Sequence, residues 1–165
     1  SVEYKALGQR ETIEFKQDVG TEFPWSFSAL SMSDGTLRLL GLLLSVYQTR
    51  TPSVLVVEEP EATVHPAITE IVIQVLKSAS SDRQVIATTH SPDILDYKEI
   101  DESSILVVSK QRNETIVAPL AGSSRIAIRR HLYTAGELLR MSELQPNTQQ
   151  AEQLALALDL FGPAN

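Results

Sequence analysis

Two short apolar runs, each ending abruptly in polar residues, constrain the fold of this chain more than any other feature. Residues 53–57 read Ser-Val-Leu-Val-Val and residues 84–88 read Gln-Val-Ile-Ala-Thr, without polar alternation. Such runs are typical of strands that are covered on both faces in a parallel sheet. The segment between them starts with His65-Pro66 and predicts a helix, because its apolar residues recur at helical spacing. Its predicted buried face consists of Ile68, Ile71, Val72, Val75 and Leu76.

The flanking segments add further elements to this strand–helix–strand unit. A helix that starts at Ser33-Asp34-Gly35 is predicted before it, and another starts at Ser91-Pro92-Asp93 after it. The apolar stripe of the first of these helices is formed by Leu37, Leu40, Leu44 and Tyr47. Strands are predicted at residues 105–108 and 114–119, a β-hairpin at 2–8 and 11–17, and helices near 123–131, 134–142 and 148–160. The loop after the hairpin carries Trp25, which we expect to anchor it to the core.

These elements predict the α/β class, with a mostly parallel sheet flanked by helices, an N-terminal β-hairpin and C-terminal helices. A chain of 165 residues is long enough for one domain with a real core. We expect a single domain over residues 1–165, in which residues 2–27 form the hairpin and loop. Residues 28–120 would form its core and residues 121–165 a helical C-terminal segment.

Charge and composition exclude several function classes. The 14 basic and 21 acidic residues give a net charge of −7, which argues against a broad phosphate-binding face. The absence of cysteine excludes disulfide scaffolds, thiolate metal sites and cysteine nucleophiles. No stretch approaches the roughly 20 apolar residues that span a membrane, and the N-terminus lacks the features of a signal peptide. We therefore expect a cytoplasmic location and no membrane contact.

Polar clusters follow both apolar runs: Glu58-Glu59-Pro60-Glu61 after the first and Thr88-Thr89-His90-Ser91 after the second. Ligands of open parallel sheets bind beyond the carboxyl ends of the strands, so the two clusters could share one phosphate-and-metal site. The carboxylates would hold magnesium and orient a water, while His90 would donate a hydrogen bond to a phosphate oxygen. Taken alone, the carboxylates fit a solvated acidic loop equally well. A histidine bonded to the backbone is the better explanation of His90 alone.

A third cluster, residues 32–36, combines a serine and a glycine at a predicted helix start, where free amides can bind an anion. Taken alone, an ordinary helix cap explains it better. The phosphate loop of a nucleotide pocket requires a Gly-Lys dipeptide, and this chain contains none. We therefore expect that the chain by itself does not form such a pocket.

The order of these clusters resembles the motif order of ABC-type ATPases, in the style of the RecF-like and SMC-like AAA ATPases related to the OLD family. Residues 30–38, Leu-Ser-Met-Ser-Asp-Gly-Thr-Leu-Arg, resemble the signature motif. Residues 54–61, Val-Leu-Val-Val-Glu-Glu-Pro-Glu, resemble the Walker B strand with its adjoining catalytic glutamate. Residues 62–66 lie where the D-loop would be, and residues 88–91 resemble the switch-histidine motif. The resemblance covers about residues 28–110.

The resemblance implies the C-terminal half of an ABC-type P-loop head that hydrolyses ATP with Mg²⁺. In such proteins ATP is sandwiched between two heads, with Walker motifs from one subunit and the signature motif from the other. By position, Glu59 would polarise the attacking water, Glu58 would support Mg²⁺ through water, and His90 would contact the γ-phosphate. The residues that would contact ATP in trans, on the opposite subunit, are Ser33, Gly35 and Thr36.

Three positions depart from the family pattern, since Glu58, Asp34 and His65 stand where aspartate, glycine and aspartate are usual. Residues 135–140 resemble a C-terminal segment of the same proteins. The Walker A half does not occur in this sequence, so we expect the chain to be the C-terminal lobe of a longer ATPase, inactive alone, rather than a split subunit. Its expected partners are that Walker A half and a second head, with DNA or an effector nuclease bound through other regions.

Two other functions remain open. One is a regulatory lobe whose signature motif acts on a partner without hydrolysis of its own, although such a lobe has no need of a water-activating Glu59. The other is a metal-dependent nuclease built on Glu58, Glu59 and His90, which would cleave DNA without nucleotide.

Overall fold

The computed structural model describes residues 1–7, 10–111 and 113–157, and the chain divides into two compact units, residues 1–88 and 89–165. The first unit contains two sheets and two long helices. Its elements in chain order are β1 (Val2–Leu7), β2 (Arg10–Gln17), β3 (Trp25–Ser28), α1 (Asp34–Tyr47), β4 (Val54–Glu58), α2 (Pro66–Ala79) and β5 (Gln84–Thr88).

The N-terminal sheet is antiparallel and contains three strands in the order β1-β2-β3. The predicted hairpin is confirmed as β1 and β2, with Tyr4 opposite Ile13, and residue 8 of its first predicted strand lies outside the described residues. The expectation that Trp25 anchors a loop to the core is wrong, because Trp25 begins β3 opposite Gln17 and is 62% exposed. Its ring packs edge-on against Phe27, two residues along the same face of the strand. A local aromatic pair therefore replaces the expected core contact.

The second sheet of this unit is the parallel pair β4–β5, in which Leu55 lies opposite Val85. Helices α1 and α2 cover one face of it. The core on that face is formed by Val46, Leu55, Val72, Leu76 and Ala79. The predicted strand–helix–strand unit is confirmed, but the parallel sheet has only two strands rather than forming most of a larger sheet. The prediction that both faces are covered is also wrong, because Val54, Val56 and Ile86 on the other face are 44–64% exposed.

Both long helices form where predicted, but each buries a somewhat different face. In α1, Leu44 and Tyr47 are exposed, and the residues that pack on the core are Leu39, Leu42 and Val46. In α2, Ile71 is 53% exposed and Ile73 is buried instead. Because α1 is apolar around most of its circumference, its spacing fits more than one stripe, and contact with β4 decides which one is buried.

The second unit combines a hairpin with short helices. Its elements are α3 (Pro92–Leu95), β6 (Leu106–Gln111), β7 (Glu114–Pro119), α4 (Gly122–Arg129), α5 (Ala135–Arg140) and α6 (Thr148–Ala157). Both predicted strands form, β6 and β7 pair antiparallel, and a core of Ile105, Leu120 and Ala135 lies beside them. The predicted end of the last helix, residues 158–160, lies outside the described residues. Within the described ranges, no helix is long and apolar enough to cross a membrane.

Candidate functional site

The carboxyl ends of β4 and β5 lie side by side in the first unit. Glu58 is opposite Thr88 in the parallel register, and the Glu59 amide donates to the Thr88 carbonyl oxygen at 3.0 Å. The same amide lies 3.3 Å from the Thr88 hydroxyl oxygen. Residues 88–91, which we call the switch-like segment, begin at Thr88. A backbone hydrogen bond therefore connects the start of this segment to the carboxylate cluster after β4.

The loop after β4 turns sharply at Glu59. Glu59 has a φ of 43° and Thr63 a φ of 65°, in the left-handed region that side chains other than glycine rarely adopt. Two turn hydrogen bonds close the loop, from the Ala62 amide to the Glu59 carbonyl at 2.9 Å and from the Val64 amide to the Glu61 carbonyl at 3.1 Å. A left-handed glutamate costs about 1–2 kcal/mol. Glu59, which has this unfavourable conformation, is the residue that the motif pattern predicts to be catalytic.

The signature-like residues form the start of α1. Ser33 is the N-cap: its hydroxyl oxygen accepts from the Thr36 amide at 3.2 Å and lies 2.8 Å from the Thr36 hydroxyl. Gly35 packs against the loop after β4, where a Cβ on Gly35 would lie closer than 3.0 Å to the Thr63 carbonyl oxygen. The start of α1 and the loop after β4 are thus in direct contact within one chain.

Arg38 is a residue of this site that the sequence reasoning missed. Its guanidinium Nη2 donates to the carbonyl oxygen of Glu58 at 3.1 Å and to that of Glu59 at 3.2 Å. The one available signal was a single arginine interrupting the apolar run of residues 37–47. Its partners lie 20 and 21 residues further along the chain, so no local pattern could have identified them.

The two histidines of the motif region have different surroundings. His65 is the N-cap of α2, where its Nδ1 accepts from the Ala67 amide at 3.2 Å. His90 is exposed and belongs to the second unit, beside a turn in which the Ser91 amide donates to the Thr89 hydroxyl at 2.9 Å. Convergence of His90 with the carboxylates after β4 stays a prediction.

The segment after His90 is held by helix α5. The Gly136 amide donates to Asp96 Oδ1 at 3.0 Å, and Arg140 pairs with both Asp93 and Asp96. Burial alone would raise the pKa of Asp96, but hydrogen bonds from Thr134, Arg140 and the Gly136 amide together lower it below its usual value. Hydrogen bonds to Asp96 and then to Asp93 raise the pKa of Arg140 above its usual value. This ion-paired contact was not predicted from the sequence.

The donor groups suit a magnesium ion that is bound with a nucleotide. In the described part of the chain, no three His, Cys, Asp or Glu side chains converge as a metal site. Glu58 instead ends β4 as an exposed carboxylate. Mg²⁺ commonly keeps several waters and takes only one or two carboxylates together with substrate phosphates. Glu58 fits that mode of binding.

Comparison with known proteins gives two matches of different kinds. The family model described as "AAA domain, putative AbiEii toxin, Type IV TA system" matches residues 11–96, which is more than half of the chain. A solved structure described under "Structural biochemistry of ATP-driven dimerization and DNA stimulated activation of SMC ATPases" is similar with a TM-score of 0.54 and 17% identity. That likeness covers 79% of this chain and 81% of the other. No curated protein matches the chain.

Proposed function

This chain belongs to the AAA domain family, and from that membership we propose that it is the C-terminal lobe of a RecF/SMC-like ATPase head. The register of β4 with β5 is the observation that carries the proposal. This register supports one catalytic site at a single edge of the sheet. Glu58-Glu59 and the start of the switch-like segment lie at the carboxyl ends of neighbouring parallel strands, where ligands of such sheets bind. The nucleotide-binding phosphate loop would come from a Walker A half outside residues 1–165.

The proposed chemistry uses the carboxylates after β4. Glu59 would accept the proton of the attacking water, as a general base does, and Glu58 would hold Mg²⁺ through water. The ion, when bound, would neutralise charge on the phosphates of ATP. His90 would donate a hydrogen bond to the γ-phosphate, where negative charge must be stabilised.

We also propose that ATP is bound between two heads and that Ser33, Gly35 and Thr36 act in trans. The solved SMC structure is described as undergoing ATP-driven dimerization, and its similar fold supports the same arrangement here. Ser33 is exposed at the start of α1, where the amides of the first turn and the helix dipole favour an anion.

The proposal can be tested in a protein that contains both this chain and its Walker A half. The test uses mixed dimers, in which each subunit carries a different substitution. Each ATP site of the proposed dimer is composite, since it takes Glu59 from one subunit and Ser33 from the other. Ser33→Arg and Glu59→Gln should therefore each be nearly inactive, because both sites of such a dimer contain a substituted residue. In a mixed dimer one site takes Glu59 from the first variant and Ser33 from the second, and is intact. Single-turnover hydrolysis should therefore rise above that of either variant alone, once tagged pull-down has confirmed mixed dimers. If Ser33 acted in cis, the confirmed mixed dimers would stay inactive.

A further inference from the structure

Arg38 fixes the backbone on both sides of Glu59. The carbonyls of Glu58 and Glu59 belong to the two peptide units that flank the Glu59 Cα, and the same Arg38 Nη2 donates to both. The Glu59 amide is held separately by the Thr88 carbonyl. Two anchored peptide planes determine φ and ψ of Glu59, and hence the direction in which its side chain leaves the backbone.

The restraint from Arg38 acts on a residue, Glu59, whose backbone conformation is unfavourable for glutamate. The left-handed φ of Glu59 persists only if its surroundings hold it, because an unrestrained glutamate favours other conformations. The close approach of Gly35 to the Thr63 carbonyl is a second, independent contact between the start of α1 and the same loop. A hydrogen-bonded clamp and a steric contact thus connect the signature-like turn to the loop that carries Glu59.

We propose that Arg38 is a positioning residue that holds Glu59 of its own subunit from helix α1. The inference rests on the proposed function and deepens it. The start of α1 would meet ATP of the opposite subunit, while Arg38, one turn later, would fix the base of its own subunit. One helix would therefore connect the two composite sites of a dimer.

Kinetics of Arg38 variants in the protein with its Walker A half give the first test. Arg38→Ala should lower kcat about 10²-fold, which is the cost of a small misplacement of a catalytic group. The KM for ATP should not change, because the observed contacts of Arg38 are with the backbone carbonyls of Glu58 and Glu59. Arg38→Lys should recover part of kcat, since its single ammonium can also donate to carbonyls but is held less rigidly on its flexible side chain. Arg50→Ala, at an exposed arginine just beyond α1, is the matched control and should behave as wild type.

Mixed dimers show on which subunit Arg38 acts. With Ser33→Arg as its partner, Arg38→Ala should regain single-turnover hydrolysis, because one site combines an intact Arg38 and Glu59 with an intact Ser33. With Glu59→Gln as its partner, it should regain none, because each site then has a damaged base. The opposite pattern would mean that Arg38 supports the signature turn only, and it would overturn the inference. Recovery in both pairs, or in neither, would overturn it as well.

The pair Ser33→Arg with Glu59→Gln separates this inference from the proposed function. If that pair recovers and the Arg38 pairs do not follow the expected pattern, only the role of Arg38 is wrong. If that pair stays inactive in confirmed mixed dimers, the trans arrangement is wrong, and the connection between sites through α1 is wrong with it.

Discussion

At the scale of residues, the backbone contacts of Glu59 set the direction of its side chain. Its amide is bonded to Thr88, its carbonyl to Arg38, and its φ lies in the left-handed region. These hydrogen bonds use backbone atoms of Glu59, so an isosteric amide side chain keeps the groups that form them. Glu59→Gln therefore tests the chemistry of the carboxylate while these backbone groups stay in place.

Glu59→Gln should keep ATP binding and slow hydrolysis by about 10²–10⁴-fold in the protein that includes the Walker A half. An amide can still hydrogen-bond a water but cannot accept its proton. Steady-state turnover and ATP affinity measured on the same preparation check this expectation. Glu70→Gln, at an exposed glutamate on α2, is the matched control and should not change turnover. Near-normal turnover of Glu59→Gln would remove Glu59 from the catalytic role.

Two glycines of α1 should respond in opposite directions to the same substitution. Gly41 has open space around it, so Gly41→Ala should raise the free energy of unfolding by about 0.5–1 kcal/mol through better helix propensity. Gly35→Ala should lower it, because its Cβ would collide with the Thr63 carbonyl oxygen. Denaturant unfolding of the two variants measures both changes. A gain in stability for Gly35→Ala would show that the loop after β4 moves away at little cost.

At the scale of elements, features set by neighbouring residues could be predicted from the sequence, whereas contacts between residues distant in the chain could not. Ser33 and His65 cap α1 and α2 at the predicted positions, because cap residues and a following proline act within one turn. Strand β3 was missed because it is only four residues long, although its alternation of aromatic residues with serine has the period of a strand. The Arg38 clamp was missed because its partners are distant in sequence and are brought together only by the packing of α1 beside β4.

The docking of α5 on α3 should make the stability of the second unit depend on pH. The pKa of Asp96 is lowered in the folded state, so the unfolded chain binds its proton first as the pH falls. The stabilisation is complete above the ordinary carboxyl range, and it is lost as the pH falls below about 4 through the folded-state pKa. The stability difference between wild type and Asp96→Asn should therefore be larger at neutral pH than at about pH 3. Urea unfolding at both values checks this, and an equal difference at the two would contradict it.

At the scale of the whole molecule, the chain contains the carboxylates that we propose as catalytic, but its sequence lacks the Gly-Lys dipeptide of a phosphate loop. The missing Gly-Lys loop supplies most of the phosphate donors in such sites. Residues 1–165 alone should therefore bind ATP poorly and should not turn it over. Isothermal titration with Mg²⁺ and ATP measures the affinity. Micromolar, magnesium-dependent binding to the isolated chain would contradict the expectation.

The exposed face of β4–β5 is where we expect the Walker A half to pack. Parallel strands are normally covered on both faces, yet Val56 is 64% exposed on the side away from α1 and α2. Val56→Lys should weaken association with a separately produced Walker A half about tenfold or more, because it would bury an unpaired charge in the interface. Ile71→Lys, at a similarly exposed apolar residue on α2, is the matched control and should leave association unchanged. Titration calorimetry of the two halves measures both affinities, and thermal unfolding confirms that each variant is folded. Equal affinities for wild type and Val56→Lys would show that the Walker A half does not cover this face.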